Sequence, residues 1–204
     1  MTHSFWEKVD LTWDRWHKIL TEPKILPPNL INTPLLVTGN TVHHVYHMAV
    51  FEKFAGFQIE NANVIVEFGA GYGNTCRLIH QLGFTGRYYI YDLPQISRVQ
   101  KRFLESCGIN TDNICWLFDN PIHAVPNTDI FIAEWSLSEA PDEDRNKFLD
   151  IDSLYYLLAY STTFFEIDSR SYFDNFKKRN QHISWKHEEI RHIPKSYYML
   201  GKPK

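Results

Sequence analysis

Val64-Ile65-Val66-Glu67-Phe68-Gly69-Ala70-Gly71-Tyr72-Gly73-Asn74-Thr75-Cys76 is the stretch on which the reading of the fold turns. A short apolar run leads into glycines at alternate positions, and a helical pattern over 74–82 follows. Glycine serves where a ligand must come close to the backbone, because a side chain there would block it. The helix start beyond it offers free N–H groups and the positive end of a dipole. A glycine-rich turn alone is weak, but one set between a strand and a helix has the context that nucleotide sites require. Spacing narrows the ligand class. Gly69, Gly71 and Gly73 read G-x-G-x-G, not the G-x-G-x-x-G of dinucleotide sites. No lysine follows as in a triphosphate P-loop.

Outward from the loop, strands and helices alternate. Residues 87–91, 113–118, 128–133 and 162–167 read as further strands, and 95–107 and 142–158 as helices. This order implies βαβ units, a parallel sheet and right-handed crossovers. Residues 182–191 and 197–201 flank Pro194 and suggest a closing antiparallel pair. On the other side, residues 4–20 look like an amphipathic helix. Ser4 and Glu7 have capping-box spacing, and Phe5, Val9, Trp13, Trp16 and Leu20 share one face. Pro23, Pro27, Pro28 and Pro34 make 21–39 an extended connector. Residues 40–56 read as a second, largely buried helix that Gly56 could end. The expected division is a helical N-terminal cap over 1–60 and an α/β domain over 61–204.

The second strand ends at Asp92 in Tyr91-Asp92-Leu93-Pro94, 21 residues beyond Gly71. An acid there can accept hydrogen bonds from both hydroxyls of a ribose. The alternative is a helix N-cap with proline in the first turn.

Composition limits the rest. Of 204 residues, 44% are hydrophobic and 22% charged, which suits one globular domain. The net charge of −3, with scattered Lys and Arg, argues against a nucleic-acid or anionic-membrane surface. Cys76, Cys107 and Cys115 lack metal or redox spacing and read as reduced, which fits the cytoplasm. Neither a signal peptide nor a membrane span is expected. Aromatic residues, at 15%, fit a well-filled core or a surface for stacking a sugar or base.

The motif E-x-G-x-G-x-G resembles the first motif of class I S-adenosylmethionine-dependent methyltransferases. The resemblance implies a Rossmann-like three-layer sandwich: a mainly parallel seven-stranded sheet with an antiparallel C-terminal strand. It implies S-adenosylmethionine as cofactor, with Gly69, Ala70, Gly71 and Gly73 near its methionine part. Glu67 would organise the loop or receive the donor's amino group through a water. Asp92, followed by Leu93, would hold the ribose. Asp119, in Trp116-Leu117-Phe118-Asp119-Asn120, would meet adenine, although Asp119-Asn120-Pro121 is also turn chemistry. The longer string 66–76, the Asp-Leu-Pro at 92–94 and Ser138-Glu139 are similar to a group of sugar O-methyltransferases. That similarity covers roughly 62–170 and implies O-methylation of a sugar or glycan precursor. Another small-molecule or protein acceptor, or a donor-binding protein without turnover, stands as the alternative. A homo-oligomer is compatible with the sequence.

Two patterns of the class are missing. Ala133-Glu134-Trp135-Ser136 replaces the Asn/Asp-Pro-Pro-Tyr/Phe of many base N-methyltransferases, and there is no Asp…Asp-Asn magnesium set. A metal-free transfer to a hydroxyl is therefore the simpler expectation, with the protein aligning reactants and a base removing the proton. His44 and His43 on the 40–56 helix, and Glu139, are the candidate bases, with Glu134 a further rival. His43 and His47 stand four apart on one face, but H-E-x-x-H would need Glu where His44 stands, so no metal is expected.

Overall fold

The computed structural model describes residues 13–20, 30–32, 36–118, 125, 127–164 and 167–204. In chain order the elements are α1 (Trp13–His17), β1 (Leu30–Asn32), β2 (Leu36–Thr38), α2 (Gly39–Ala55), β3 (Val64–Phe68), α3 (Asn74–Gln81), β4 (Arg87–Tyr91), α4 (Pro94–Ser106), β5 (Ile114–Leu117), β6 (Thr128–Glu134), α5 (Ser136–Glu139), α6 (Asp142–Arg145), β7 (Ser153–Ser161), β8 (Thr163–Phe164), β9 (Ile167–Asp168), α7 (Ser169–Arg179), β10 (Ile183–Glu189) and β11 (Ser196–Pro203).

Seven strands make the central sheet, in the order β10-β11-β7-β6-β3-β4-β5. β3 pairs in parallel with β4 and β6, β4 with β5, and β6 with β7. β11 runs antiparallel to both β7 and β10, so it alone is reversed within the sheet. The expected closing pair is therefore present, with the last strand inserted between two earlier ones.

The central strands are apolar on both faces, as parallel strands covered by helices must be. Alternate residues feed two cores. Ile65, Tyr88, Ile90, Ile130, Ile132 and Leu157 join one with Leu78 of α3 and Leu104 of α4. Val66, Tyr89, Tyr91, Phe131 and Leu158 join the other with Phe173 and Phe176 of α7. Three layers result from a period-two pattern read against helices on either side.

α2 is capped at its start by Thr38, whose hydroxyl accepts from the Thr41 N–H at 3.3 Å, and at its end by Gly56 in the left-handed conformation. Both ends agree with the sequence reading to within one residue. Trp16 and Leu20 are buried in the first core, as their spacing predicts. Arg15 ties α1 to Glu52 of α2 at 2.8 Å and to Glu60. The Ser4–Glu7 capping box, with Phe5 and Val9, lies outside the described residues.

One stretch departs from expectation. The predicted helix 142–158 is helical only over its first turns, and β7 occupies 153–161. Leu154-Tyr155-Tyr156-Leu157-Leu158-Ala159-Tyr160 is a continuous apolar run, and periodicity cannot tell a strand buried on both faces from a buried helix. Its aromatic content is the signal that favours the strand. The strand expected over 162–167 is displaced accordingly, and the chain there makes the small β8–β9 pair.

Candidate functional site

The strand order runs one way from β3 through β4 to β5 and the other way through β6 and β7. The carboxyl ends of β3 and β6 thus flank the topological switch point, where open α/β sheets form their ligand crevice. The glycine loop leaves β3 there. Gly69, Gly71 and Gly73 have φ of 71°, 55° and 95°, values that L side chains rarely adopt. Each glycine meets a different neighbour. A Cβ on Gly69 would collide with the side chain of Ser136. One on Gly73 would touch Leu104 at 3.5 Å. One on Gly71 would meet nothing within 4 Å. Gly71 therefore faces open space, a cradle that a methyl group would begin to fill. The Gly73 N–H bonds Ala70 O at 2.9 Å, and α3 starts immediately after, as the motif predicts.

Asp92 closes β4 beside this loop. Its Oδ1 accepts from the Leu93 N–H at 2.8 Å and its Oδ2 from Gln100 Nε2 at 2.8 Å. Gln100 Nε2 also donates to Gly71 O at 2.9 Å, and its Oε1 accepts from Trp116 Nε1 at 3.1 Å. A fully buried amide thus binds the acid, the loop and β5 together. Burial raises the Asp92 carboxyl above its ordinary value, opposed by the N–H groups of Leu93, Gly71 and Ala70 and by Gln100. Of these donors, the Leu93 N–H and Gln100 make the hydrogen bonds of 2.8 Å, two for a carboxylate with about four lone-pair positions, so accepting capacity remains for a ligand. The sequence reading misses Gln100. The available signal is a lone glutamine in the apolar stripe Ile96, Phe103, Leu104 of α4. Leu93, 63% exposed, and Phe118 offer apolar surface just past β4 and β5. Asp119 lies outside the described residues.

Two buried carboxylates stand at the switch point. Glu67 accepts a hydrogen bond from Tyr88 Oη at 2.7 Å, and burial pushes its pKa up to about 7. Glu134, the last residue of β6, has an 8% exposed side chain, and its pKa is pushed up to about 8 by burial and by Glu67. Thr75 Oγ1 donates to Glu134 Oε2 at 3.1 Å, while Oε1 is buried with no hydrogen-bond partner. Among the described residues neither carboxylate is ion-paired with a lysine or arginine.

His44 reaches this point from α2, with Nε2 3.9 Å from Glu134 Oε2. Its tautomer follows from its neighbours. Arg77 Nε donates to Asn74 Oδ1 at 2.9 Å, and arginine cannot accept, so the Asn74 amide oxygen must face it. Asn74 Nδ2 then donates to His44 Nδ1 at 3.1 Å. The lone pair of neutral His44 is thereby engaged at Nδ1, and its proton sits on Nε2, toward Glu134. Burial lowers the His44 pKa to about 4, so the ring is neutral at pH 7. His43 turns elsewhere, its ring 5.9 Å from His47 and 5.3 Å from His192. Glu139 is exposed at the end of α5.

Trp135 follows Glu134 with φ of 65°, a left-handed conformation costing a bulky residue on the order of 1–2 kcal/mol. Its N–H bonds Ala159 O at 2.6 Å and its indole N–H bonds Ser196 Oγ at 3.3 Å. Ser138 braces the bend by donating to Trp135 O at 2.7 Å and accepting from the Ser161 N–H at 3.3 Å. Held strain of this kind clusters at ligand sites. A cleft of about 640 Å³ between His80, Arg87, Asp112 and Cys115 lies at the opposite, amino edge of the sheet, away from the loop.

The strand order, with one reversed strand inside a parallel run, and the glycine loop at its switch point make this a Rossmann-like methyltransferase fold. No family model and no curated protein matches the chain. Solved structures do. The mitomycin 7-O-methyltransferase MmcR superposes with a TM-score of 0.53 at 12% identity, over 81% of this chain and 58% of its own. This chain thus spans little more than half the length of that enzyme. An O-methyltransferase family protein from Burkholderia thailandensis gives 0.55 at 10% identity, over 99% of this chain and 70% of its own. The methyltransferase domain of a bacterial CtHen1 gives 0.59 at 10% identity, over 80% and 98%. At such identities the likeness is one of fold.

Proposed function

We propose that this chain binds S-adenosylmethionine and transfers its methyl group to a hydroxyl, the acceptor being a sugar or glycan precursor. The observation that carries the reading is the glycine cradle, with Gly71 open and bracketed by Asp92 through Gln100. The residues fit the donor in other respects. Two buried carboxylates without a cation suit a ligand that is itself cationic, and Glu134 Oε1 lacks a partner. Asp92 would take the ribose hydroxyls, and Leu93 and Phe118 would flank the adenine. The neighbouring O-methyltransferases of the same fold agree with this chemistry, and the string 66–76 is the ground for the sugar.

When bound, S-adenosylmethionine supplies an electrophilic methyl on a sulfonium sulfur. The chain must align an acceptor oxygen with it and receive the hydroxyl proton. His44 and Glu134 are the groups best placed for that proton. Neutral His44 offers an N–H rather than a lone pair toward Glu134, so the carboxylate is the accepting member of the pair. His43 and Glu139 would serve at the outer wall of the acceptor space, which residues 1–60 would help to cover.

Two measurements test the reading. Calorimetry with S-adenosylmethionine and S-adenosylhomocysteine should give saturable one-to-one binding, and its absence for both rejects the donor site. Incubation with methyl-labelled donor and a panel of free sugars and sugar nucleotides should label at least one. Labelling of only phenolic small molecules would reject the sugar and keep the transfer.

A further inference from the structure

Glu134 is placed as no structural carboxylate needs to be. It ends β6 with Oε2 held by Thr75 of α3 and faced by the N–H edge of His44, while buried Oε1 has no partner. Among the described residues, the other titratable or charged groups around it offer no positive charge. They are Glu67 of β3, Tyr88 of β4 and Tyr198 of β11, with Arg77 of α3 lying beyond neutral His44. Two carboxylates converging in a buried space repel, and the usual remedy is to hold a proton until a cation arrives. The strained turn at Trp135, braced from β7 and β11, fixes Glu134 in that position.

We propose that Glu134 is the counter-charge for the cationic end of the methyl donor, and that it gives up a proton as the donor enters. This rests on the donor-binding reading above and adds a residue and a proton balance to it. The balance is simple: neutral Glu134 and cationic donor become an ion pair, and one proton leaves to solvent. The empty-site value of about 8 agrees with the geometry, because the group is then mostly protonated at pH 7.

The test is calorimetry of donor binding to the whole chain at pH 7, in two buffers of different ionisation enthalpy. Most of a proton should be released per donor bound, declining as pH rises past 8. Glu134→Gln should lose most of the buffer dependence, whereas Glu67→Gln should reduce the release without abolishing it, because burial still raises Glu134 once its acidic neighbour is gone. Equal release with S-adenosylhomocysteine, which carries only the ammonium, assigns the pairing to that group. Release with S-adenosylmethionine alone assigns it to the sulfonium. Binding of wild-type protein without buffer-dependent heat, or full release from Glu134→Gln, overturns the inference while leaving the donor site intact. If neither compound binds, the donor-binding reading itself fails, and this one with it. The wild-type measurement stands even if a variant does not fold.

Discussion

At the scale of single residues, the site is a matter of which polar atoms are satisfied by protein and which are left for a ligand. Asp92→Ala should weaken donor binding by about 1.5–3 kcal/mol, the range for hydrogen bonds to a charged group, read by calorimetry. Unchanged affinity would remove Asp92 from the ribose. The carboxylates also predict a pH dependence with a definite sign. Folding raises the pKa of Glu67 to about 7 and of Glu134 to about 8. The folded state therefore holds these protons more tightly than the unfolded chain does. Their stabilisation is present at low pH and is lost as pH rises from the ordinary carboxylate value through 7 and 8. The melting temperature of Glu134→Gln relative to wild type should thus climb between pH 5 and pH 9, and a flat difference would contradict the burial argument. His44 acts oppositely. Its value, lowered to about 4, means stability is lost as pH falls from 6.5 through 4.

At the scale of elements, the glycine loop separates two demands that look identical in the sequence. Gly69→Ala forces Ser136 off the end of β3 and should lower stability by about 1–3 kcal/mol, as overpacking does. Gly71→Ala meets no neighbour, so its folding cost is confined to the left-handed backbone, about 1–2 kcal/mol, and its chief effect should fall on donor affinity. Thermal melts and donor titrations of the pair check this, and a reversed ranking would place the ligand elsewhere. Loop, acid and most strands were legible because strand-glycine-helix spacing and short apolar runs bounded by turn residues are local signals. The break between α6 and β7 was not, because Leu154–Tyr160 is apolar throughout and only its neighbours in the sheet decide its conformation. Gln100, Tyr88 and Thr75 were missed for a related reason. Each matters through a partner distant in sequence, 29 residues for Gln100 with Gly71, 21 for Tyr88 with Glu67 and 59 for Thr75 with Glu134.

At the scale of the whole molecule, two cores share one sheet, and β11 is closely packed within it. A Cβ on Gly201 would lie 2.8 Å from Ile183, Trp185 and Tyr156 alike, so Gly201→Ala should cost about 1–3 kcal/mol in denaturant unfolding. A neutral result would mean that β10 can shift outward freely. The place of β11 also has a consequence for how the protein is made. A ribosome emits β10 before β11, yet among the described residues β10 has no sheet neighbour except β11, which must slide between it and β7. Until residue 203 has left the exit tunnel, β7 presents a bare edge of tyrosines and leucines to the cell. The nascent chain should therefore engage holdase chaperones through 153–161 until β11 has emerged, and a released chain ending at 195 should stay protease-sensitive where one that runs through β11 does not.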